Sequence, residues 1–483
     1  MNSYPAEFSR LMSLGVRPAG IASVWLRFAP QASTNVNIEM KPEQILSITC
    51  VDEVDPLSRT LPTESVTVEI IDFDGTLDPD NPRASKLYYG RYYMIDIRLG
   101  LESDTSPDTT IMGPELHYFS TRVPTYSNGI LKFTGTRLFG VMLDSYTNMP
   151  VQVSDMLELT KSVFSQVGIA SSEYSIPSGL TSRGVDLGAM LPIASCTNTL
   201  LTIANQCGYQ LRTNSSGQVQ MSYELYSNLT PTLITSRDIL ETPSVETIPL
   251  VRDIIIDISN VKNKTLVSSE MEEIGSLVGL YATGVTHHEF VEFTSCPYLP
   301  NGAWPPDISY GIVNGTITHA EIYRLGAYVD FTVTSSEKEV EITFKSRTVS
   351  QYNMCRVFHV NNDGEDEQIS NPLENGSWHI SSLAQMHGEY LNDNRRTYTI
   401  SYRGDPQIEV MDIIRVQLPY YGVIECLVLR TELTLSTSYT GILLVKPIEK
   451  LKGKIASAIA GQAVAGQAIA GVRLYKGELG GTT

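Results

Sequence analysis

The stretch VTVEIIDFDGTLDPDNPRASKLYYG, residues 66–90, opens with side chains of alternating character. Val66, Val68 and Ile70 fall on one face of an extended chain, and Thr67, Glu69 and Ile71 on the other. A strand covered by helices on both sides is apolar throughout, so this one reads as half-buried in an antiparallel sheet. Asp, Gly, Pro and Asn follow in the order of a loop, and residues 87–99 read as the next strand.

The run Asp72-Phe73-Asp74-Gly75-Thr76 also resembles the opening of haloacid-dehalogenase-type phosphohydrolases. That resemblance implies a nucleophile at Asp72, a general acid at Asp74 and Mg²⁺ beside them. The alternating strand argues against it. So does the Pro79-Asp80-Asn81-Pro82 loop where the enzyme needs a helix. No later strand ends in an acidic pair at the required spacing; Gly404-Asp405 runs into Pro406 and a further strand.

A second resemblance covers most of residues 20–450. A strand, then Asp74-Gly75, Asp78-Pro79 and Asn81-Pro82, then Gly90-Arg91 opening the next strand, is similar to the first domain of phage baseplate hub or tail-associated proteins. Downstream, Asn371-Pro372, a helix over 381–391, the run 395–406 ending Arg403-Gly404-Asp405-Pro406, and Asp412 resemble the closing domain of the same family. The resemblance implies a trimeric ring in which each subunit contributes two barrel-like domains. Such a ring would join a sixfold tail tube, or distal tail protein, to a threefold central spike or fibre, leaving a channel for DNA. It also implies contact with a tape-measure protein, and a place in the virion after assembly in the host cytoplasm.

The rest of the chain is compatible with that expectation. At 483 residues, 42% hydrophobic and 18% charged, it is a folded chain of several domains. A net charge of −18 argues against specific nucleic-acid binding, which needs a cationic surface, and suits either simple solubility or a lumen that repels phosphate. Cys50, Cys196, Cys207, Cys296, Cys355 and Cys426 lack metal-site spacing and read as buried thiols. Residues 1–20 carry no secretory pattern.

The expected fold class is mainly β with a minor α component: two β-barrel-like tube domains, an α/β domain and an inserted β domain. Residues 1–19 form an N-terminal arm. Residues 20–148 form the first barrel, from strands over 23–28, 44–54, 65–72, 89–99, 115–123 and 131–142. Residues 149–245 form the α/β domain. Ser154 there can cap a helix carrying Met156, Leu159, Val163 and Val167. A second helix from Thr197 ends at Gly208 and runs into a hairpin turning at 214–217. Residues 246–270 and 376–450 make a discontinuous second barrel, with 271–375 inserted. In the tail, 451–483, a five-residue unit puts glycine at 461, 466 and 471, a period that suits no durable helix. The tail would either order only against a partner or its symmetry mates or stay a flexible low-complexity segment; membrane contact is not expected.

Three tempting sites have plainer readings. Arg403-Gly404-Asp405 is an integrin-type tripeptide that, like the β-rich block 271–370, would make the chain a receptor-binding adhesin, but the tripeptide ends a strand and is followed by Pro406. His287 and His288 point to opposite faces of a strand and do not readily share an ion, even with Glu289, Glu292 and Cys296 nearby. Asp72, Asp74, Asp78 and Asp80 could approach Ca²⁺, but they lack the closing glutamate and read as turn residues. No catalytic, cofactor or metal residues are assigned, and the chain is expected not to be an enzyme.

Overall fold

A computed structural model describes residues 4–14, 17–28, 37–78, 80–81, 93–105, 109–137, 151–152, 155–178, 180, 190–191, 194–214, 217–222, 232–258, 266–294, 307–322, 326–336, 338–349, 354–373, 380–418 and 422–448. The fold is mainly β, with four helices among those residues. The alternation of Thr63–Ile71 is realised: Val66, Val68 and Ile70 are buried, and both neighbouring strands, Ile45–Glu53 and Ile130–Thr136, run antiparallel to it.

Among the described residues the two expected barrels do not close. Their strands lie on one antiparallel path running Ser244–Thr247, Arg396–Tyr402, Tyr439–Pro447, Gly422–Leu435, Ile45–Glu53, Thr63–Ile71, Ile130–Thr136, Thr110–Ser120, Tyr93–Glu102, Gly20–Phe28 and Asn37–Met40. The physical reason is the strand Gly422–Leu435. Its first half pairs with Ile413–Leu418, and its last six residues pair with Ile45–Glu53, Leu433 opposite Cys50. An edge that a barrel would have closed on itself is thereby satisfied by a strand from the far end of the sequence. A bulge between Val428 and Arg430 accompanies the change of partner. Before it, Cys426 and Val428 belong to the closing domain's core; beyond it, Leu433 and Leu435 join the core around Val68, Ile97 and Phe133.

Three smaller units attach to this sheet. Helices Met156–Gln166 and Cys196–Cys207 pack with the hairpin Gln210–Thr213 and Val219–Ser222 around Val163, Leu200 and Leu211. The second helix stops where expected: Gly208 takes φ +67°, a left-handed conformation that glycine adopts without steric cost. The first is capped by Asp155, which accepts from Leu157 N–H at 2.8 Å; the expected cap, Ser154, lies outside the described residues. Leu266–Gly279, Val340–Val349 and Ile308–Val313 form one sheet of a two-sheet unit around Phe331 and Phe344. Thr286–Glu292, Gly326–Val333 and Gly315–Ile322 form the other. Val251–Ile258, grouped in the sequence with the closing barrel, pairs instead with Met354–His359 and Glu365–Ser370. Helix Ile380–Asn392 packs on that small sheet.

Candidate functional site

The motif residues are spent on joints. In the first motif, Asp72 is buried and accepts from Thr76 N–H at 3.1 Å and Leu77 N–H at 3.0 Å, one on each carboxylate oxygen. Tyr126 donates to the same group at 3.3 Å. Asp74 accepts from the Thr76 hydroxyl at 2.7 Å, and that bond holds its carboxyl below the ordinary range. Gly75 takes φ +68°, and its carbonyl accepts from Asn81 at 3.0 Å. Asp78 accepts from Asp80 N–H at 2.9 Å. These are turn bonds of the Asx kind. A nucleophile at Asp72 would have to give up its loop to reach a phosphate. Pro79, Pro82, Gly90 and Arg91 lie outside the described residues.

The downstream motif ties distant segments together. Arg17, in the N-terminal arm, donates to the carbonyls of Arg403 at 2.7 Å and Gly404 at 2.6 Å. Tyr4 donates to the Pro406 carbonyl at 3.1 Å, and Ser9 to Gln407 at 2.6 Å. Gly404 sits at φ +60°, and a Cβ there would lie 2.9 Å from the backbone of Thr440. Asp405 accepts from Gln407 N–H at 3.0 Å; burial raises its carboxyl above the usual value. A tripeptide used this way is a buttressed turn, not a displayed ligand. Asn371 donates to the Thr202 carbonyl at 2.9 Å and to Asn205 at 3.0 Å, fastening the return from the small sheet to helix Cys196–Cys207. Pro372 follows it in a turn. Asp412 accepts from Glu409 N–H at 2.9 Å, and burial pushes it up to about 6.

Sequence reasoning missed the joint at the centre. Glu64 is buried and accepts from Thr213 twice, from its N–H at 2.7 Å and its hydroxyl at 2.6 Å. Arg137 stands 3.5 Å from Asp52 and 5.4 Å from the Tyr118 ring centre. Burial raises the Glu64 carboxyl, opposed by the nearby Arg137. Burial works against the charge of Arg137, and Asp52, Tyr118 and Glu64 outweigh it, so its pKa lies well above the ordinary value. Arg212, on the hairpin, donates to the Val410 carbonyl at 2.8 Å. A cavity of about 60 Å³ lies among these groups, bounded by Tyr4, Asp52, Arg137, Arg212 and Asp405. That is room for a few waters, not for a substrate. No local spacing marks these residues; they meet because segments distant in sequence cross.

The remaining groups do not converge. His287 contacts the Ala282 carbonyl at 2.8 Å, while His288 contacts Asp330 at 2.7 Å. Cys296 lies outside the described residues; Cys50, Cys196, Cys207 and Cys426 are buried, and Cys355 is exposed, unlike the expectation. Asp96, Glu115 and His117 do approach one another, a trio no motif announced. Arg27 reaches Asp96 at 2.6 Å and Glu115 at 3.0 Å, and Arg98 reaches Glu115 at 2.6 Å. Two guanidiniums on these carboxylates make a charge ladder ill suited to a cation. Among the described residues no helix is long and apolar enough to cross a membrane.

No family model and no curated protein matches the chain. Among solved structures it is similar to the tail protein from Neisseria meningitidis MC58, at 10% identity and TM-score 0.45, over 88% of this chain and 96% of that one. It is similar to the prophage MuSo2 43 kDa tail protein from Shewanella oneidensis, at 9% identity and TM-score 0.43, over 88% and 98%. It is also similar to the prophage tail protein gp18 from Listeria monocytogenes EGD-e, at 7% identity and TM-score 0.45, over 90% and 97%. These three solved structures are tail proteins, two of them from prophages.

Proposed function

We propose that this chain is a structural component of a virion tail, the tail or baseplate hub of a bacteriophage or phage-like injection particle. Three copies close into a ring that joins a sixfold tail tube, or distal tail protein, to a threefold central spike or fibre. The ring leaves a channel for DNA, and the C-terminal segment extends toward the spike or a tape-measure protein. One observation carries the reading: the strands around both family motifs lie on a single sheet, joined where Leu433 pairs with Cys50. In this reading each copy contributes two similar halves, so three copies offer six comparable surfaces.

The ends of the described path, Ser244–Thr247 and Asn37–Met40, each carry one unpaired edge. Ring closure between copies is the ordinary way to cover such edges without open-ended growth. The net charge of −18 suits a lumen through which phosphate must slide without adhering. The motif carboxylates serve turns and joints, which favours assembly over catalysis.

The test is an electron-microscopic reconstruction of the particle, with this chain located by a tag and its copies counted around the axis. Three copies at the tube–spike junction are expected. Six copies, or a position away from the axis, would overturn the reading.

A further inference from the structure

Between the long sheet and the small sheet of Val251–Ile258 lies a groove of about 750 Å³. Part of its lining is apolar, with Val54, Tyr390, Leu429 and Leu444. Another part is acidic: Glu53, Asp55, Glu246, Glu365, Asp366 and Glu367 line it against one cation, Arg59. Arg59 is already shared by Asp55 at 2.8 Å and Glu367 at 3.0 Å. Asp366 is held by Arg252 at 2.7 Å, and Arg430 stands 3.7 Å from Glu53. Glu246 and Glu365 have no ion pair among the described residues, and both sit on strands at the end of their sheets, Ser244–Thr247 and Glu365–Ser370.

The described chain ends beside this groove. Ile448, the last described residue, is buried in one cluster with Val54, Leu429 and Leu444, all three of which line the groove. Residues 449–455 read Glu-Lys-Leu-Lys-Gly-Lys-Ile. Lys450, Lys452 and Lys454 alternate, so an extended chain offers three ammonium groups to one side and Leu451 and Ile455 to the other. Lys454 is six residues past Ile448, a reach of about 20 Å for extended chain.

We infer that residues 449–455 dock in this groove of their own subunit. The three lysines face the carboxylates of Glu246 and Glu365, and Leu451 lies on the apolar part. Opposite charges concentrated in a partly desolvated groove attract more strongly than the same charges in open water. The match of alternating charge to a lining that is part acidic and part apolar selects this segment over the uncharged repeat that follows it. Docking would fix the point from which residues 455–472 set out, and it holds whether or not the chain sits in a tail.

Zero-length carbodiimide cross-linking tests this on the full-length chain, prepared as a mixture of unlabelled and ¹⁵N-labelled protein and read by mass spectrometry. Peptides joining Lys450, Lys452 or Lys454 to Glu246 or Glu365 are expected, with both halves carrying the same isotope. The Lys161–Glu158 pair, 2.8 Å apart on an exposed helix face, is the internal control. A Lys450→Gln, Lys452→Gln, Lys454→Gln variant should lose the tail cross-links and keep the control. Absence of tail-to-groove peptides while the control forms would overturn the inference. Mixed-isotope peptides would overturn it too, assigning the groove to a neighbouring copy's tail.

Discussion

Thr213 donates both its N–H, at 2.7 Å, and its hydroxyl, at 2.6 Å, to the buried carboxylate of Glu64. This clasp fixes the hairpin of the helical unit to the strand that carries the first motif. It also places a negative charge beside Arg137, which is buried. Breaking one member of a buried charged group leaves its partners uncompensated. Glu64→Ala should therefore lower stability by about 3 kcal/mol. Urea unfolding of the two proteins measures it, and an unchanged midpoint would count against the clasp.

The N-terminal arm supplies a second prediction. Arg17 holds two carbonyls of the Arg403–Gly404 turn. Arg17→Ala should cost about 2 kcal/mol, the ordinary loss for hydrogen bonds from a charged donor. Gly404→Ala should cost about 3 kcal/mol, because it combines a left-handed backbone with a Cβ forced against Thr440. The arginine variant should also speed hydrogen exchange in helix Ala6–Met12, whereas the glycine variant acts at the turn itself. Binding of either protein to integrin-bearing cells should match background.

Much of this architecture can be read from local pattern, and the boundary of that legibility is physical. Val66, Val68 and Ile70 announce a half-buried strand because side-chain alternation is a property of one strand alone. Gly208 announces a helix end because a left-handed residue is a local need. Which strand pairs with Ile45–Glu53 is not local: the answer, Gly422–Leu435, lies more than three hundred residues away, and barrel closure is an equally good solution to the same alternation. Ser154 and Asp155 are both good caps, and no local rule separates neighbours of the same class. Glu64, Arg137 and Thr213 have no spacing to betray them, since their joint exists only once distant segments have met. The motif residues could be found in the sequence, but their work as turn and joint residues could not.

His387 yields a pH dependence. It is fully buried on helix Ile380–Asn392, and neither ring nitrogen has a hydrogen-bond partner among the described residues. Burial, with a smaller push from Arg59, lowers its pKa from 6.5 to about 4. Above pH 6.5 native and unfolded chains both hold it neutral, and its stability contribution is intact. As pH falls from 6.5 toward 4, the unfolded chain takes up a proton that the native state refuses, so stability is lost, by up to about 3 kcal/mol. His387→Leu should flatten that slope and raise stability at neutral pH, by removing two unpaired polar atoms from the core. Thermal unfolding across the window tests it. A variant as acid-sensitive as the parent would place the titration elsewhere.

Asp72 separates the structural from the hydrolytic reading most directly. Its two oxygens hold the N–H groups of Thr76 and Leu77 and accept from Tyr126, closing the loop after Thr63–Ile71. Asp72→Asn keeps one acceptor oxygen and forfeits the charge, so the loop should weaken by about 1–2 kcal/mol. If Asp72 were instead a nucleophile, the parent would turn over a generic phosphate ester in a Mg²⁺-dependent way, and the variant would lose activity without losing stability. The expected result is the reverse: no Mg²⁺-dependent turnover above background in either protein, and a lower unfolding midpoint in the variant. Turnover by the parent that vanishes in an equally stable variant would show that the loop holds a reaction site.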